Sequence, residues 1–570
     1  MKRPVRLIAA ALAVCMLIVV GTPPARAYTP PVSTIKVGLY YGSGALPSAN
    51  LSNVSGYGEG YEFGYYNSQR EFVSLAATGT TAISILKDRN MYYAGREYLE
   101  GTEGSVVVGC YHIQLAQGFA TAYDARAVSG NYSSSFVKYY NGTFYVSIGN
   151  YTSAESAYAA AATMTLPDYT INAGTSQTVT VVATGTNRII FEFDSGTSAY
   201  LGVRPISTNG ALTRTWFRND QYYGGFQYAR LGGGDLTVVN YVGIEEYTKC
   251  VVPRESPSTW PLEALKVQAL CSRTYAMSKL NKHSSNGFDL CAGEECQVYG
   301  GLAWGNATTN QAVDETAGLY ITYNGKLCET YFSSSDGGAT ENSENVWTEA
   351  IPYLRGVIDP YEADIAGTVS NYNWTVTYTP AQLAQRMRDK GYNCSTIVSV
   401  AVTKFTELGN VYTVTVKDDS GRTFNITKSD RLRSVFALPS IRFTVGGASQ
   451  PGGSVGGDIY VNGSGIVLDG GTAQAYAIGG DGTTSTLPGG NVYAITGTGE
   501  TEIITGDGGG TNTGSTGSTD GKVNGVFTFT GTGRGHNVGV SQWGTYSMAK
   551  FHNKTFLEII NFYYTGVTIG

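Results

Sequence analysis

The sequence predicts a β-rich protein of the α+β class with several domains. Three observations lead to this class. At 570 residues the chain is longer than one ordinary hydrophobic core can organise. Short runs that alternate apolar and polar residues, such as TIKVGLYYG from Thr34, recur through most of the chain and predict strands. A few longer stretches have helical periodicity instead, so we expect both element types.

The composition suits an exported protein with long loops. The chain has 74 glycines and 42 tyrosines, whereas charged residues make up only 14%. Strand propensity alone explains most of the tyrosines. The net charge of −6 provides no basic field, which argues against nucleic acid as a partner.

The first 27 residues predict an export signal. Lys2, Arg3 and Arg6 precede an apolar run at 7–20, and an A-x-A cleavage pattern ends at Ala27. A cleaved signal peptide and a retained membrane anchor are both compatible with this pattern. No later segment is long and apolar enough to span a bilayer. We therefore expect an extracytoplasmic protein of the cell envelope or a secreted one.

Changes of pattern divide the rest of the chain. The predicted segments are β-rich regions at 28–105 and 169–235, a small α+β unit between them at 106–168, a mixed domain at 236–445 that resumes at 525–570, and a Gly/Ser/Thr-rich insertion at 446–524. The α+β unit is predicted because strand, helix, strand and helix patterns follow one another closely. The insertion is predicted from composition, part of which is typical of a flexible linker.

The stretch from Glu246 to Tyr275 is the one around which we expect the mixed domain to be built. Pro261 suits the first position of a helix, and apolar residues follow at helical spacing. Glu255 lies in the Pro-rich turn just before this predicted helix, where its carboxyl can reach a cleft.

Two cations fall on the apolar side of this predicted helix. They are Lys266 and Arg273. A buried cation must be paired or must line a cleft, because an unpaired buried charge is costly. Arg273 therefore either lines a cleft or is the partner of Glu255 or Glu263 in a structural ion pair.

Cofactor motifs are not found in the sequence. No Gly-rich run has the context of a phosphate-binding loop, and the four histidines form no H-E-x-x-H motif. Cys15 lies in the export signal, and the other seven cysteines leave at least one thiol unpaired. Cys291 and Cys296 are close enough for a disulfide or for two metal ligands, and two free thiols are a third alternative.

Several stretches of residues 236–570 together resemble the stage II sporulation protein D (SpoIID/LytB) family. They are NYVGIEEY, VVPRESPSTWPLEALKVQALCSRTYA, CQVYGG, AVDETAGLYITYNG, ETYFSSSDGGATENSENVW, PYLRGV and GHNVGVSQWG. The resemblance implies a SpoIID-like catalytic domain that acts as a lytic transglycosylase on peptidoglycan glycan strands. It implies that Glu255 is the catalytic acid. Departures occur at Arg534 and Asn537, where the family usually has an aromatic residue and glycine.

The same resemblance implies the other site residues. The substrate-binding candidates are Arg273, Lys266, Ser334, Ser335, Asp336, Thr340, Asn342, His536 and Gln542. Some family members have a histidine beside the second cysteine of the C-x4-C pair, which allows zinc. Glu295 stands at that position here, and the nearest histidine is His283. We therefore expect that no cofactor is required, with zinc at Cys291 and Cys296 as the alternative to a disulfide.

The α+β unit at 106–168 resembles the SPOR domain. The residues that carry this resemblance are Tyr111, Gln114, Gly118, Phe119, Tyr145, Val146, Gly149 and Ala157. The resemblance implies binding of glycan strands stripped of their peptides, with Gln114 as a contact. The alternative is a ferredoxin-like packing module without a ligand.

Together these resemblances imply a lytic transglycosylase that forms 1,6-anhydro-muramic acid ends during sporulation. The alternative is a non-enzymatic, glycan-binding enhancer of an amidase, and a third hypothesis is a purely structural wall-binding protein. The expected partners are peptide-stripped glycan strands and a cell-wall amidase or other envelope proteins of sporulation.

Overall fold

The computed structural model describes residues 28–302, 304–446 and 520–570, and the backbone of five short strands between 466 and 503. It confirms the α+β class: the protein is β-rich and has several domains. The predicted export signal and most of the predicted insertion lie outside the described residues. The helices of the described residues are α1 (Ala122–Ser129), α2 (Ala154–Ala161), α3 (Ile244–Glu255), α4 (Leu262–Ser278), α5 (Ala307–Asp314), α6 (Ser343–Val346), α7 (Pro380–Asp389), α8 (Ser429–Phe436), α9 (Gln542–Phe551) and α10 (Phe556–Tyr563).

Two large sheets form the N-terminal half. Across the first sheet the strands are Leu290–Cys291, Thr34–Tyr40, Thr237–Gly243, Gly225–Ala229, Leu201–Pro205, Tyr61–Tyr66 and Phe72–Thr78. Across the second sheet they are Tyr169–Asn172, Tyr111–Leu115, Thr143–Tyr151, Ser135–Tyr140, Ile189–Asp194, Val179–Ala183, Ala82–Lys87, Ser48–Asn53, Arg214–Phe217 and Asp220–Tyr223. Most neighbouring strands are antiparallel, which matches the alternating patterns in the sequence.

The two sheets share one hydrophobic core. Phe63 of the first sheet stacks on Phe191 of the second, with ring centroids 5.4 Å apart. Leu51, Ile85 and Val181 of the second sheet point into the same core. The segments at 28–105, 106–168 and 169–235 therefore build one packed body.

The small α+β unit has the strand order of a ferredoxin-like fold. Three of its strands lie within 106–168, and the fourth, Tyr169–Asn172, follows the predicted end of the unit. Numbered along the chain, the four strands lie in the order 4-1-3-2 and form one end of the second sheet. Helices α1 and α2 cover one face, with Ala125 and Ala161 in the shared core. This order is the one that we expect for a SPOR-like unit and equally for the packing module.

Smaller sheets make up the rest of the described chain. A four-stranded sheet contains Asn373–Tyr378, Val526–Thr532, Arg442–Val445 and Lys522–Val523, and a three-stranded sheet contains Ile397–Phe405, Val411–Asp418 and Thr423–Thr427. The short pairings are Lys326–Leu327 with Ile321–Tyr323 and Thr568–Ile569, Phe332–Ser333 with Val540–Ser541, and Tyr98–Glu100 with Met91–Tyr93 and Val107–Val108. The five remaining strands are Ile466–Leu468, Ala475–Ile478, Thr484–Leu487, Tyr493–Ile495 and Thr501–Ile503.

Helix α4 belongs to the predicted mixed domain and contacts α3, α5, α9 and α10. Every residue from Val267 to Met277 is buried. The expected amphipathic helix is thus surrounded by protein, which explains why small and polar residues interrupt its apolar stripe. Among the described residues, no helix combines the length and apolar character needed to cross a membrane.

Candidate functional site

Glu255 is the last residue of helix α3, and Ser256 follows it as the C-cap. The sequence predicts a turn for this segment because it contains Pro253. This prediction is wrong: the helix continues through Pro253 and ends two residues later. Since proline lacks an N–H, it interrupts the helical hydrogen bonds near the end of the helix. Glu255 therefore lies at the C-terminal end of α3.

The carboxyl group of Glu255 has the environment of a general acid. Glu255 is half-buried, and burial raises its pKa. The backbone N–H of Val298 donates a hydrogen bond that lowers the pKa, and the charge of nearby Glu294 raises it further. A raised pKa keeps the carboxyl protonated at a higher pH than an exposed glutamate, which acid catalysis requires.

A chain of side-chain hydrogen bonds fixes the end of α3 against α4. Gln542 donates to the backbone carbonyl of Glu255 at 2.9 Å and to Oε1 of Gln268 at 3.1 Å. The same Oε1 accepts from Ser256 at 3.4 Å, and the Gln268 amide donates to Ser272 at 3.1 Å. Gln542 therefore holds the main chain at Glu255, a positioning role that the sequence does not predict.

Aromatic side chains collect at the loop that carries His536. The Trp347 ring lies 5.2 Å from His536 and 4.6 Å from Tyr331, measured between centroids. Burial lowers the pKa of His536 to about 4, so its imidazole is neutral at physiological pH. The N–H of Val538 donates to Nδ1 at 3.0 Å, which places the ring proton on Nε2. These residues form a platform with a polar donor, which suits a sugar ring.

Ser334 connects this platform with Glu255. Its carbonyl accepts from the N–H of Trp543 at 3.0 Å, and Trp543 is the neighbour of Gln542, which contacts Glu255. Ser334 itself is half-buried. The structure thus brings Glu255, Ser334, Gln542 and the His536 loop to one region.

Arg273 lies elsewhere. It is fully buried, and its guanidinium lies 2.6 Å from the Glu245 carboxylate of α3. It also donates to the backbone carbonyl of Val313 at 3.1 Å. The sequence leaves two roles open for Arg273, and in the structure Arg273 forms an ion pair. Its partner is Glu245 and not Glu255 or Glu263.

Lys266 lies on the same face of α4 as Arg273, seven residues away. Its Nζ lies 2.7 Å from Glu263 and 2.8 Å from Glu315. Burial lowers the pKa of Lys266, but these hydrogen bonds outweigh it and raise the pKa overall. Gln268, which faces the Glu255 segment, is about 160° away around the helix. The two cations therefore do not share the region of Glu255.

Most of the other predicted binding residues make hydrogen bonds that stabilise the loop in which they lie. Ser335 is buried and donates to a buried carboxylate at 2.8 Å. The hydroxyl of buried Thr340 and the side-chain carbonyl of Asn342 each accept a backbone N–H, at 2.8 and 3.0 Å. Asn537 has a left-handed φ of 62° and donates to the Asp336 carbonyl, which explains how asparagine replaces the glycine usual in the family.

Asp336 belongs to a buried cluster of three carboxyl groups. Oxygens of Asp336, Asp359 and Glu362 lie within 4.8 Å of one another. Glu362 accepts from the hydroxyl of Ser541, and Tyr563 donates to Asp359 at 2.6 Å. Burial and the charge of Glu362 raise the pKa of Asp336 well above its ordinary value, and that of Asp359 to about 7. The Asp336–Asp359 pair therefore shares a proton at neutral pH.

This cluster predicts that folding stability falls as the pH rises from about 4 through about 7. The folded state keeps protons that the unfolded state has released, so the stabilisation is complete at low pH and is lost above the raised pKa values. We expect Asp336→Asn to flatten this dependence, because an amide cannot ionise. Thermal unfolding at pH 5 and pH 8 measures it. Equal pH dependence in both proteins would contradict the shared proton.

Cys291, Cys296 and His283 form a second cluster. All three donor atoms lie within 4.8 Å of one another, with Nε2 of His283 3.2 Å from Sγ of Cys296. Both cysteines are free thiols. Two thiols and an imidazole are the donors that zinc prefers, and Glu295 lies 3.6 Å from His283 as a further oxygen donor. The residues present therefore fit a zinc ion, and His283, which adjoins neither cysteine in the sequence, completes the set.

Gln114 lies on the face of the second sheet opposite the helices. Its carbonyl accepts from Asn172 at 3.1 Å, and Lys138 donates to the same asparagine at 3.2 Å. Beneath them Glu192 is buried between Lys138 at 2.6 Å and His112 at 3.2 Å. On this polar face Gln114 is partly accessible to solvent, whereas Lys138, Glu192 and His112 are buried and paired with one another.

Three partner groups described above have almost no signal in the sequence. Glu245, Gln268 and Glu362 each act through a partner that is distant along the chain. Only the unusual polarity of a buried position points to Gln268, since it lies within an otherwise apolar helix.

Residues 232–323, which include α3 and α4, match the family described as SpoIID, stage II sporulation protein. The chain is 29% identical to an uncharacterized protein of Brachyspira hyodysenteriae over 61% of this chain and 72% of that protein. It is 30% identical to the amidase enhancer of Bacillus subtilis over 56% of this chain and 40% of that protein. It is 34% identical to stage II sporulation protein D of Bacillus subtilis over 26% of this chain and 47% of that protein. The chain thus spans less than half the length of each of these Bacillus relatives.

Proposed function

We propose that this chain, a member of the stage II sporulation protein D family, cuts the glycan strands of peptidoglycan outside the cytoplasm as a lytic transglycosylase. Family membership supports a cell-wall function in sporulation. The specific reaction is our inference, and one observation carries it. Glu255 is a half-buried carboxyl with a raised pKa at the end of α3, and the two cations of α4, Lys266 and Arg273, pair with other acids.

The reaction needs a single carboxyl group that acts twice. Protonated Glu255 donates its proton to the glycosidic oxygen as the bond from that oxygen to C1 of muramic acid breaks. The resulting carboxylate then takes the proton of the muramic acid 6-hydroxyl, whose oxygen bonds to C1. The products are a free hydroxyl on one fragment and a 1,6-anhydro ring on the other, and no water is consumed. A hydrolase would need a second carboxylate.

The products distinguish the reactions. Mass spectrometry of fragments from purified, peptide-free strands is expected to show muramic acid ends that are lighter by one water than hydrolytic ends. Hydrolytic ends would instead make Glu294, the nearby acid, a catalytic partner of Glu255.

The alternative function is stimulation of an amidase without catalysis, and the similarity to the Bacillus subtilis amidase enhancer favours it. Replacement of Glu255 distinguishes the two functions. An enhancer keeps its effect on amidase activity when Glu255 is replaced, whereas a transglycosylase loses its products.

We also propose that the α+β unit directs the enzyme to peptide-stripped strands through its open polar face at Gln114. The support is the ferredoxin-like strand order and the half-buried Gln114 and Asn172.

Zinc is the group that Cys291, Cys296 and His283 would hold. Bound there, it would supply a structural cross-link in the loop that leads to Val298, whose N–H donates to Glu255. The residues of this loop act on the reaction by orienting the Glu255 carboxyl.

We expect protein purified without chelator to contain about one zinc ion per chain. Cys296→Ser should lose the ion and lower the melting temperature, because the loop loses its cross-link, while Cys394→Ser, at a buried free cysteine outside the cluster, should keep it. Elemental analysis and thermal unfolding measure both effects. Metal-free protein with an oxidised Cys291–Cys296 pair would contradict the assignment.

A further inference from the structure

A groove crosses the far end of the second sheet, at the hairpin of strands Arg214–Phe217 and Asp220–Tyr223. Two adjoining cavities of about 890 and 330 Å³ meet there and share Trp216, Asn219 and Asp220 in their walls. Their sizes lie in the range of ligand sites. The groove is separate from the region around Glu255 described above.

Trp216 stands in the middle of this groove. Side chains alternate along the strand, so Thr215 and Phe217 point into the core while Trp216 points outward. Trp216 is 40% exposed, although it is a large apolar side chain. An exposed indole between two cavities is a surface on which the apolar face of a sugar ring can stack.

Arg214 lies on the same face of the hairpin strand as Trp216. Its guanidinium stacks on Tyr57 at 4.1 Å and on Tyr223 at 5.7 Å. Its Nε is buried without a hydrogen-bond partner, and the ion pairs of the described residues do not include it. A cation that is held rigidly by two rings and left unpaired at a cavity wall favours an anionic ligand, above all a carboxylate.

One loop joins the groove to Glu255. The N–H of Val298 donates to Glu255, and four residues later the N–H of Leu302 donates to the carbonyl of Gln221 at 2.8 Å. Gln221 is paired with Trp216 across the hairpin. Exposed Trp304 stands beside this loop, with the Arg254 guanidinium 4.9 Å from its ring.

We propose that this groove is an extended binding site for the glycan strand that Glu255 cuts, with a sugar ring on Trp216 and a sugar carboxylate at Arg214. The inference rests on the proposed function. The lactyl group of muramic acid carries a free carboxylate only after its peptide has been removed. Arg214 therefore makes the groove selective for peptide-stripped strands.

Other polymers fit the groove less well. A protein ligand would need an apolar centre, whereas Asn50, Asn219 and Asp220 line this groove beside Trp216. A nucleic acid would need a basic field, and the chain carries a net charge of −6.

The test measures binding in the Glu255→Gln background, in which bound strands are not cut. Titrations use purified peptide-free strands, the same strands with their carboxylates amidated, and neutral N-acetylglucosamine oligomers. We expect Trp216→Ala to weaken binding of all three roughly tenfold. Arg214→Gln should weaken binding of the carboxylate-bearing strands by a similar factor and leave the two neutral ligands unchanged.

Matched controls exist outside the groove. Arg386 is another half-buried arginine on a tyrosine ring, 5.4 Å from Tyr378, and Phe551 is another exposed aromatic residue. Arg386→Gln and Phe551→Ala should leave all affinities unchanged. Unfolding curves confirm that each variant is folded.

The outcomes separate this inference from the proposed function. If wild-type protein cuts strands but the Trp216 and Arg214 variants bind them as tightly as their parent, the groove is not a glycan site. If the variants lose affinity while wild-type protein forms no anhydro products, the groove is a glycan site but the proposed transglycosylase activity is wrong. Equal loss for charged and neutral ligands in Arg214→Gln would overturn the selectivity for carboxylates.

Discussion

Replacing Glu255 with glutamine is expected to abolish the release of anhydro-muramic acid ends, with a loss of roughly 10²–10⁴-fold in rate. An amide has nearly the same shape as the carboxyl but can neither donate the proton nor take it back. The helix end should remain intact, because Gln542 contacts the backbone of residue 255 and not its side chain. Product formation from peptide-free strands measures the loss.

Glu294→Gln is the matched control for this variant. It removes the neighbouring negative charge that raises the pKa of Glu255, so activity should persist but decline at a lower pH. Full activity in Glu255→Gln would sink the catalytic assignment. If that variant still stimulated an amidase, the enhancer function would take its place.

Replacing Glu245 with alanine is expected to cost about 3–5 kcal/mol of folding stability, the largest effect that we expect away from Glu255. The change leaves the fully buried guanidinium of Arg273 without its carboxylate. Chemical denaturation measures it. A second change, Arg273→Met, should restore part of the lost stability. Replacing both partners of a buried ion pair with apolar side chains costs less stability than removing one partner and leaving the other charge buried.

Glu315→Ala is the control for this second prediction. Glu315 is a more exposed partner of Lys266, which keeps Glu263, so the cost should stay within about 1 kcal/mol. If Glu245→Ala kept wild-type stability but lowered the affinity for glycan, Arg273 would be a substrate-binding residue after all.

Much of the helical structure follows from local patterns. Helices α1, α2, α4, α7 and α10 all lie where the sequence has helical periodicity, because the pattern records which face each helix buries. The sequence does not predict helix α3, because proline usually ends a helix, whereas Pro253 lies in the last turn of α3.

The site was predictable only in part. Glu255 follows from the family motif around it, and the structure then supplies its burial. The partner of Arg273 does not follow, because Glu245 lies 28 positions earlier and the contact depends on how α3 packs on α4. The Asp336 cluster and the strand order of the second sheet likewise depend on contacts between residues that are far apart in the sequence, and local sequence patterns do not predict such contacts.

The four-stranded sheet has a consequence for where this chain can accept inserted residues. Gly446 and Gly521 lie near the two ends of the predicted insertion, and both bond to Thr528. The Gly446 N–H donates to the Thr528 carbonyl at 2.9 Å, and the Thr528 N–H donates to the Gly521 carbonyl at 3.4 Å. The two ends of the insertion therefore meet at one residue of a strand that is already paired. Since lengthening a loop whose ends are held together costs little free energy, material can be gained, lost or exchanged here while α3, α4 and Glu255 keep their places. We therefore expect a domain inserted at this position to be tolerated.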